Sequence, residues 1–284
     1  MSSLKGLLDV FDVQQSADGT FVGDSDGGSR SVVDGSQLMA QAIVASAKTA
    51  PGKSVRSAYA SFLRAASPDV PLTFAVATVH AGRTFANTVV TVRQGDRTCA
   101  TVHVLLDLPQ PDVIRHTAPL PRPSTPAGAL PVEMPLEGRE LRLVDVADPN
   151  AADEVGPPLL DAWLRYDVVP ARDELRKALL AHFTGHLSIS ATMRGHAGIG
   201  TSMAHHTVST AVTTIEVSFH EPVVWDGWLA YTHESTFAGS GMSYVRGQVF
   251  TETGALIASF SQQGMIRHFA PQSASTSMPV EARL

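Results

Sequence analysis

The chain has one cysteine, Cys99, in 284 residues. It can form no internal disulfide, so a fold of this length must rest on its core alone. Cys99 sits in RTCATVHV, a run with strand character. A lone thiol there reads as a small buried hydrophobe rather than a nucleophile. Long apolar runs are also missing, and none approaches the roughly 20 residues a membrane span needs. The N-terminal MSSLKGLLDVFDV lacks a charged leader, a long apolar centre and a small-residue cleavage site, which reads against a secretion signal. Leu4, Leu7, Leu8 and Phe11 instead mark a short amphipathic helix. Positive charge is scarce: 21 Lys and Arg face 27 Asp and Glu, a net charge of −6 with no basic run. That balance argues against nucleic acid as the main partner. The expected compartment is the cytoplasm. The closing ARL loosely resembles a peroxisomal address, a match short enough to arise by chance.

Metal-binding patterns are lacking as well. His182, His196, His205 and His206 show neither the H-E-x-x-H spacing nor matched cysteines. GIG at 198–200 follows a helical run rather than a strand and lacks the phosphate-loop pattern. No metal and no redox or organic cofactor is expected.

What the chain does have is a Pro-rich divide, LPQPDVIRHTAPLPRPSTPAGALPVEMPLEG (108–138), with little helical or strand periodicity. It separates a unit at 1–107 from a unit at 139–284. Both repeat one order of elements. In the first, DGSQLMAQAIVASAKTA (34–50) reads as a helix capped by Ser36, with Leu38, Met39, Ala42, Ile43 and Ala45 on a broad apolar face. Strand-like runs follow at about 55–65, 71–80, 84–93 and 97–107, with turns at HAGR and RQGDR. In the second, RDELRKALLAHFTGHLSISATM (172–193) reads as one helix capped by Asp173. Strand-like runs come at about 208–221, 228–237, 243–252 and 255–267. ASFLR (60–64) answers VSFHE (217–221), and the Gly95 turn answers the Gly254 turn. A helix followed by an antiparallel meander implies a sheet curled around a buried helix. Two such units side by side can share one continuous sheet, the α+β arrangement called the double hot dog fold.

In AVTTIEVSFHEP (211–222), Thr213, Ile215, Val217 and Phe219 share one face, and Thr214, Glu216, Ser218 and His220 share the other. That polar row is either a wet sheet surface or the wall of a cleft. Here the chain resembles the type II acyl-CoA thioesterases, the TesB-like double hot dog family. GTFVGDSDGGSRSVVDGSQLMAQA (19–42), YASFLR (59–64), VSFHEP (217–222) and HESTFAGSGMSYVRGQVFTETGALIASFSQQGMIR (233–267) carry the resemblance. It implies hydrolysis of fatty acyl-CoA to a free acid and CoA and a site of one Asp, one Thr and one Gln; two such units per chain suggest further pairing into a homodimer or higher homo-oligomer.

Carried over, the Thr falls on Thr236, the Gln on Gln262 and the Asp on Thr214. A threonine can hold a water but cannot take its proton near neutral pH, and that base is worth about 10²–10⁴ in rate. Glu216, about 6.6 Å along the same strand face, is the candidate replacement. Thr214, Thr236 and Gln262 are expected to converge on one water. Asp34, at the mouth of the first helix, reads as a turn or capping residue. His220 is expected to bond across the sheet, and Arg64 and Arg246 are candidate contacts for CoA phosphates. Two alternatives stay open: a non-hydrolytic acyl-CoA or acyl-carrier binder, and a hot dog enoyl-CoA hydratase. The latter needs a histidine with a carboxylate on the helix or its mouth.

Overall fold

The computed structural model describes residues 3–28, 31–146, 148–220 and 222–269. The closing ARL therefore lies outside the described residues. The apolar stripe at the N-terminus forms α1 (Leu4–Phe11), capped by Ser3, whose Oγ accepts the Gly6 N–H at 3.1 Å. The first long helix is α2 (Gly35–Thr49). Its cap is Asp34 rather than Ser36, because the carboxylate accepts the Ser36 N–H at 3.0 Å. Every residue from Ser36 to Ser46 is buried, as a helix threaded through a sheet requires.

The expected helix 172–193 is two helices, α3 (Asp173–Thr184) and α4 (Ser188–Met193). Gly185 ends the first, and Leu187 turns the chain with a φ of 66°. Asp173 is the first helical residue and not the cap, which is Arg172.

Among the described residues the strands are thirteen, in chain order β1 (Gln14–Gln15), β2 (Phe21–Gly23), β3 (Ser54–Phe62), β4 (Leu72–Ala81), β5 (Phe85–Gln94), β6 (Arg97–Asp107), β7 (Leu130–Pro131), β8 (Arg139–Leu143), β9 (Leu159–Tyr166), β10 (Val208–Phe219), β11 (Trp228–Gly239), β12 (Met242–Thr251) and β13 (Leu256–His268). They form one sheet in the order β1-β2-β4-β5-β6-β3-β10-β13-β12-β11-β9-β8-β7. Read outward from the central β3–β10 pair, β3-β6-β5-β4-β2 repeats as β10-β13-β12-β11-β9. The double hot dog architecture expected from the repeat is present.

The seam runs antiparallel from Ser57↔Ser218 to Ser61↔Thr214. Side chains stitch it further. Arg56 donates to the carbonyls of Phe219 and His220, at 3.1 Å each, and pairs with Asp107. Buried Lys177 of α3 donates to the Val55 carbonyl at 2.8 Å and to the Ser54 hydroxyl, and lies 3.0 Å from Asp173. One apolar core spans both units, with α2 and α3 inside it.

The Pro-rich stretch is exposed from 109 to 119 and then docks on the outer side of the second unit. Arg122 grips Asp161 through two bonds of 2.6 and 2.5 Å, and Trp163 donates to Ser124. Ala129 joins Trp163, Trp228 and Phe250 in a second, smaller apolar cluster.

Candidate active site

Two buried helix ends meet in the interior. A Cβ on Gly185 would lie 2.5 Å from Ser36 Cβ and 2.7 Å from Ser36 Oγ. Only glycine lets the end of α3 approach the start of α2 this closely. In the first turn of α2, Asp34 takes the Ser36 N–H on its carboxylate and the Gln37 N–H on its carbonyl, at 3.0 Å each, and the positive end of α2 favours negative charge there.

Asp34 caps that turn. Its Oδ1 accepts both the N–H and the O–H of Ser36, at 3.0 and 2.7 Å. Its Oδ2 faces across to the other unit and lies 3.9 Å from His186 Nε2. His186 Nδ1 is 3.2 Å from the His182 carbonyl. A carbonyl only accepts, so Nδ1 carries a proton, and Nε2 is the ring nitrogen that faces Asp34. The imidazole stacks on Phe183, with centroids 5.2 Å apart and planes 7° from parallel. Asp34 and His186 side chains are 27% and 13% exposed, so the pair is enclosed yet reachable.

Electrostatics fix the charge states. Burial alone would raise the Asp34 pKa, but the adjacent His186 and the Ser36 hydrogen bonds outweigh it and hold the carboxyl below its ordinary value. Burial pushes His182, one turn back, down to about 3, so its ring is neutral. Buried His233 on β11 is likewise pushed down to about 4 by desolvation, with Nδ1 2.9 Å from the Leu160 carbonyl.

The segment carrying His186 is anchored from the sheet. Gln262 is buried on the inner face of β13 and donates Nε2 to the Gly185 carbonyl at 3.3 Å. Ser235 of β11 lies 2.9 Å from Thr192 Oγ1 of α4. Leu187, a non-glycine residue in the left-handed region, carries backbone strain immediately after His186.

Of the four residues expected to form the site, Gln262 alone reaches this region. Gln262 pairs with Ile215 and Val245, and Val245 with Ser235, so one buried row crosses the inner face. The neighbouring row, Thr214, Gln263, Tyr244 and Phe237, faces outward. Thr214 belongs to that outer row because a bulge at Thr213 shifts the register and Ile215 takes the inward position. Thr236 is an exposed bulge residue between Ser235 and Phe237. The expected convergence of Thr214 and Thr236 with Gln262 is therefore corrected: strand alternation sends them to opposite sides.

Glu216 is also outward, in a groove of about 570 Å³ shared with Arg122, Ser218, Glu234, Arg246 and Ser261. Its carboxylate receives a long 3.5 Å bond from Ser261, on the face of the sheet opposite Gln262. Glu216 and Ser218 of the polar row of β10 form part of the wall of this outer groove. There His220 contacts Ser259 at 2.8 Å, a cross-sheet bond as expected, and Arg246 pairs with Glu234. Arg64 bonds the Thr98 carbonyl.

His186 is the residue that sequence reasoning missed. Its signal was present but weak: a histidine after a glycine, four residues beyond His182, at the end of an amphipathic run. Nothing in that spacing reveals that the partner carboxylate lies 152 residues away, at 34 against 186.

A single sheet wrapped around two buried helices, with a polar site where their ends meet, defines a double hot dog protein. The model of an acyl-CoA thioesterase N-terminal domain matches residues 26–106, and that of an acyl-CoA thioesterase C-terminal domain matches residues 117–266. The chain belongs to the acyl-CoA thioesterase family. Among its relatives are acyl-CoA thioesterase 2 of Haemophilus influenzae, 25% identical over 93% of this chain and 98% of that one, and acyl-coenzyme A thioesterase 8 of Mus musculus, 25% identical over 82% and 79%. A tesB protein of Mycobacterium avium subsp. paratuberculosis has a similar fold, with a TM-score of 0.79 at 24% identity over 93% of this chain and 99% of that one.

Proposed function

We propose that the protein hydrolyses acyl-CoA thioesters with a water held between Asp34 and His186. The observation that carries this reading is the 3.9 Å gap from Asp34 Oδ2 to His186 Nε2, set at the start of α2. A water about 2.8 Å from each group spans that gap. It donates one proton to the carboxylate and one to the imidazole, which leaves its lone pairs free for attack. His186 takes a proton as the oxygen adds to the thioester carbon. The Gly35 N–H and the positive end of α2 meet the developing oxyanion, and CoA leaves as the thiolate. Asp34 orients the water and stabilises the imidazolium. Gln262 acts through the Gly185 carbonyl as a positioning residue.

Release of free thiol from a panel of fatty acyl-CoA substrates tests the reading. His186→Gln and Asp34→Asn are each expected to lower kcat/KM by about 10²–10⁴. Asparagine caps helices about as well as aspartate, so the second change spares the fold. Thr214→Val, Thr236→Ala and Glu216→Gln are expected to stay within about threefold of the parent, as surface changes do. A full rate in His186→Gln would end the assignment of the base. The reading also takes the protein as cytoplasmic, in keeping with its single cysteine. It further takes the chain as a homodimer or larger, in keeping with the exposed Tyr59, Phe237 and Tyr244 on the sheet.

A further inference from the structure

We infer that the chain binds a chloride-sized monovalent anion in its core, against Arg139, Tyr166 and Trp225. The site is separate from Asp34 and His186 and does not depend on the reaction proposed above.

Arg139 opens β8 and Tyr166 closes β9, and the two stand directly opposite each other in the ladder. Opposed residues share a face. Here it is the inner one, because Arg139 Cζ lies 5.7 Å from the ring centroid of Phe183 on α3. Trp225, just before β11, packs on Tyr166 with ring centroids 6.4 Å apart and planes at 52°. Tyr166 is only 4% exposed and Trp225 only 5%, so solvent does not reach either ring.

Charge is unbalanced at this point of the core. The Met134 carbonyl takes one Arg139 N–H at 2.8 Å, yet among the described residues no carboxylate pairs with the guanidinium. Burial lowers its pKa, but a guanidinium starts so high that it stays charged. The face of Phe183 offsets part of that desolvated charge and supplies no counter-ion.

Hydrogen bonding is unbalanced in the same sense. Arg139 Nε, the Tyr166 hydroxyl and Trp225 Nε1 are closed from solvent and have no hydrogen-bond partner among the described residues. Guanidinium and indole N–H groups only donate. Burial raises the Tyr166 pKa, so its hydroxyl keeps its proton and donates as well. Three buried donors beside an uncompensated cation call for an acceptor that is itself negative. A water would accept the hydrogen bonds and leave the charge standing. One guanidinium balances one negative charge, and an apolar surround favours an ion that gives up its water readily. Chloride meets both conditions, whereas a phosphate or sulfate dianion meets neither.

Thermal unfolding of the whole chain in sodium chloride and in sodium gluconate at equal ionic strength tests the inference. Crystals soaked in bromide locate the ion by anomalous scattering. Chloride at about ten times its Kd is expected to raise Tm by about 2–4 °C over gluconate. A bromide peak is expected in contact with Arg139 and Trp225. Arg139→Met is expected to abolish the difference between the salts. Trp225→Phe keeps a ring and removes one donor, and it is expected to at least halve that difference. His186→Gln is expected to retain it in full, whatever its rate of thiol release. Equal Tm values in the two salts overturn the inference, with or without a bromide peak. A chloride response that survives in Arg139→Met and Trp225→Phe, or a bromide ion bound only elsewhere, overturns it too. Each of these results leaves the hydrolase reading untouched.

Discussion

His182 and His233 carry a measurable consequence at the scale of single residues. Both are buried and neutral, held near 3 and 4 against an ordinary value of 6.5. Their folded pKa values lie below the unfolded ones, so the unfolded chain binds the extra protons. Stability is then fully present above about pH 6.5 and is lost as pH falls toward about 3–4. At about pH 5 each ring costs about 2 kcal/mol relative to neutral pH. Urea titrations at the two pH values are expected to show that slope, and His182→Leu is expected to remove about half of it. An unchanged midpoint between pH 5 and pH 7.5 would contradict the burial of both rings. The residue scale is also where the sequence was least legible. Gln262 was found from a motif, but the motif could not say that Thr214 stands one row away on the other face. A single bulge at Thr213 decides that, and a bulge leaves no trace in composition. Asp34 was read as a turn residue or partner of a Ser36 cap and is itself the cap; that its second oxygen serves another unit follows only from the folded chain.

Elements were read more surely, because their signal is periodic. Strand β6 spans 97–107 as expected, and β10 to β13 fall within two residues of their expected bounds. Alternation at period 2 and buried helix faces are local properties, so they survive in sequence. The break between α3 and α4 did not, since TGHL continues a helical pattern until the approach to Ser36 demands glycine at 185. This approach gives a prediction for the helix pair. Gly185→Ala places a methyl 2.5 Å from Ser36 Cβ. Overpacking of this kind costs about 1–3 kcal/mol and shifts backbone, here the backbone that carries His186. A lowered Tm together with a loss in kcat larger than the change in KM is expected. Ser36→Gly in the same chain is expected to recover part of the Tm.

For the whole molecule, the repeat read from 60–64 against 217–221 foretold two units but not how they fuse. The fusion lies in β3 against β10, in the shared core, and in Lys177 and Arg56 reaching across. Burial lowers the Lys177 pKa, with Asp173 pulling the other way, so the ammonium depends on its partners. Lys177→Met leaves the Val55 carbonyl and Asp173 without that donor, and a loss of about 1–3 kcal/mol is expected. Because the core is continuous, unfolding is expected to remain one transition by circular dichroism and by tryptophan fluorescence alike. Two separated transitions would mean that the units are independent.

The central claim is that catalysis takes place where α2 and α3 meet, with atoms from both halves of the chain. A crystal structure with a non-hydrolysable acyl-CoA analogue tests it most directly. The account predicts the carbonyl oxygen within hydrogen-bond reach of the Gly35 N–H at the start of α2, with an ordered water between Asp34 and His186. An analogue seated instead along the outer groove of Glu216 and Arg246, with its carbonyl beside Thr214, would contradict it.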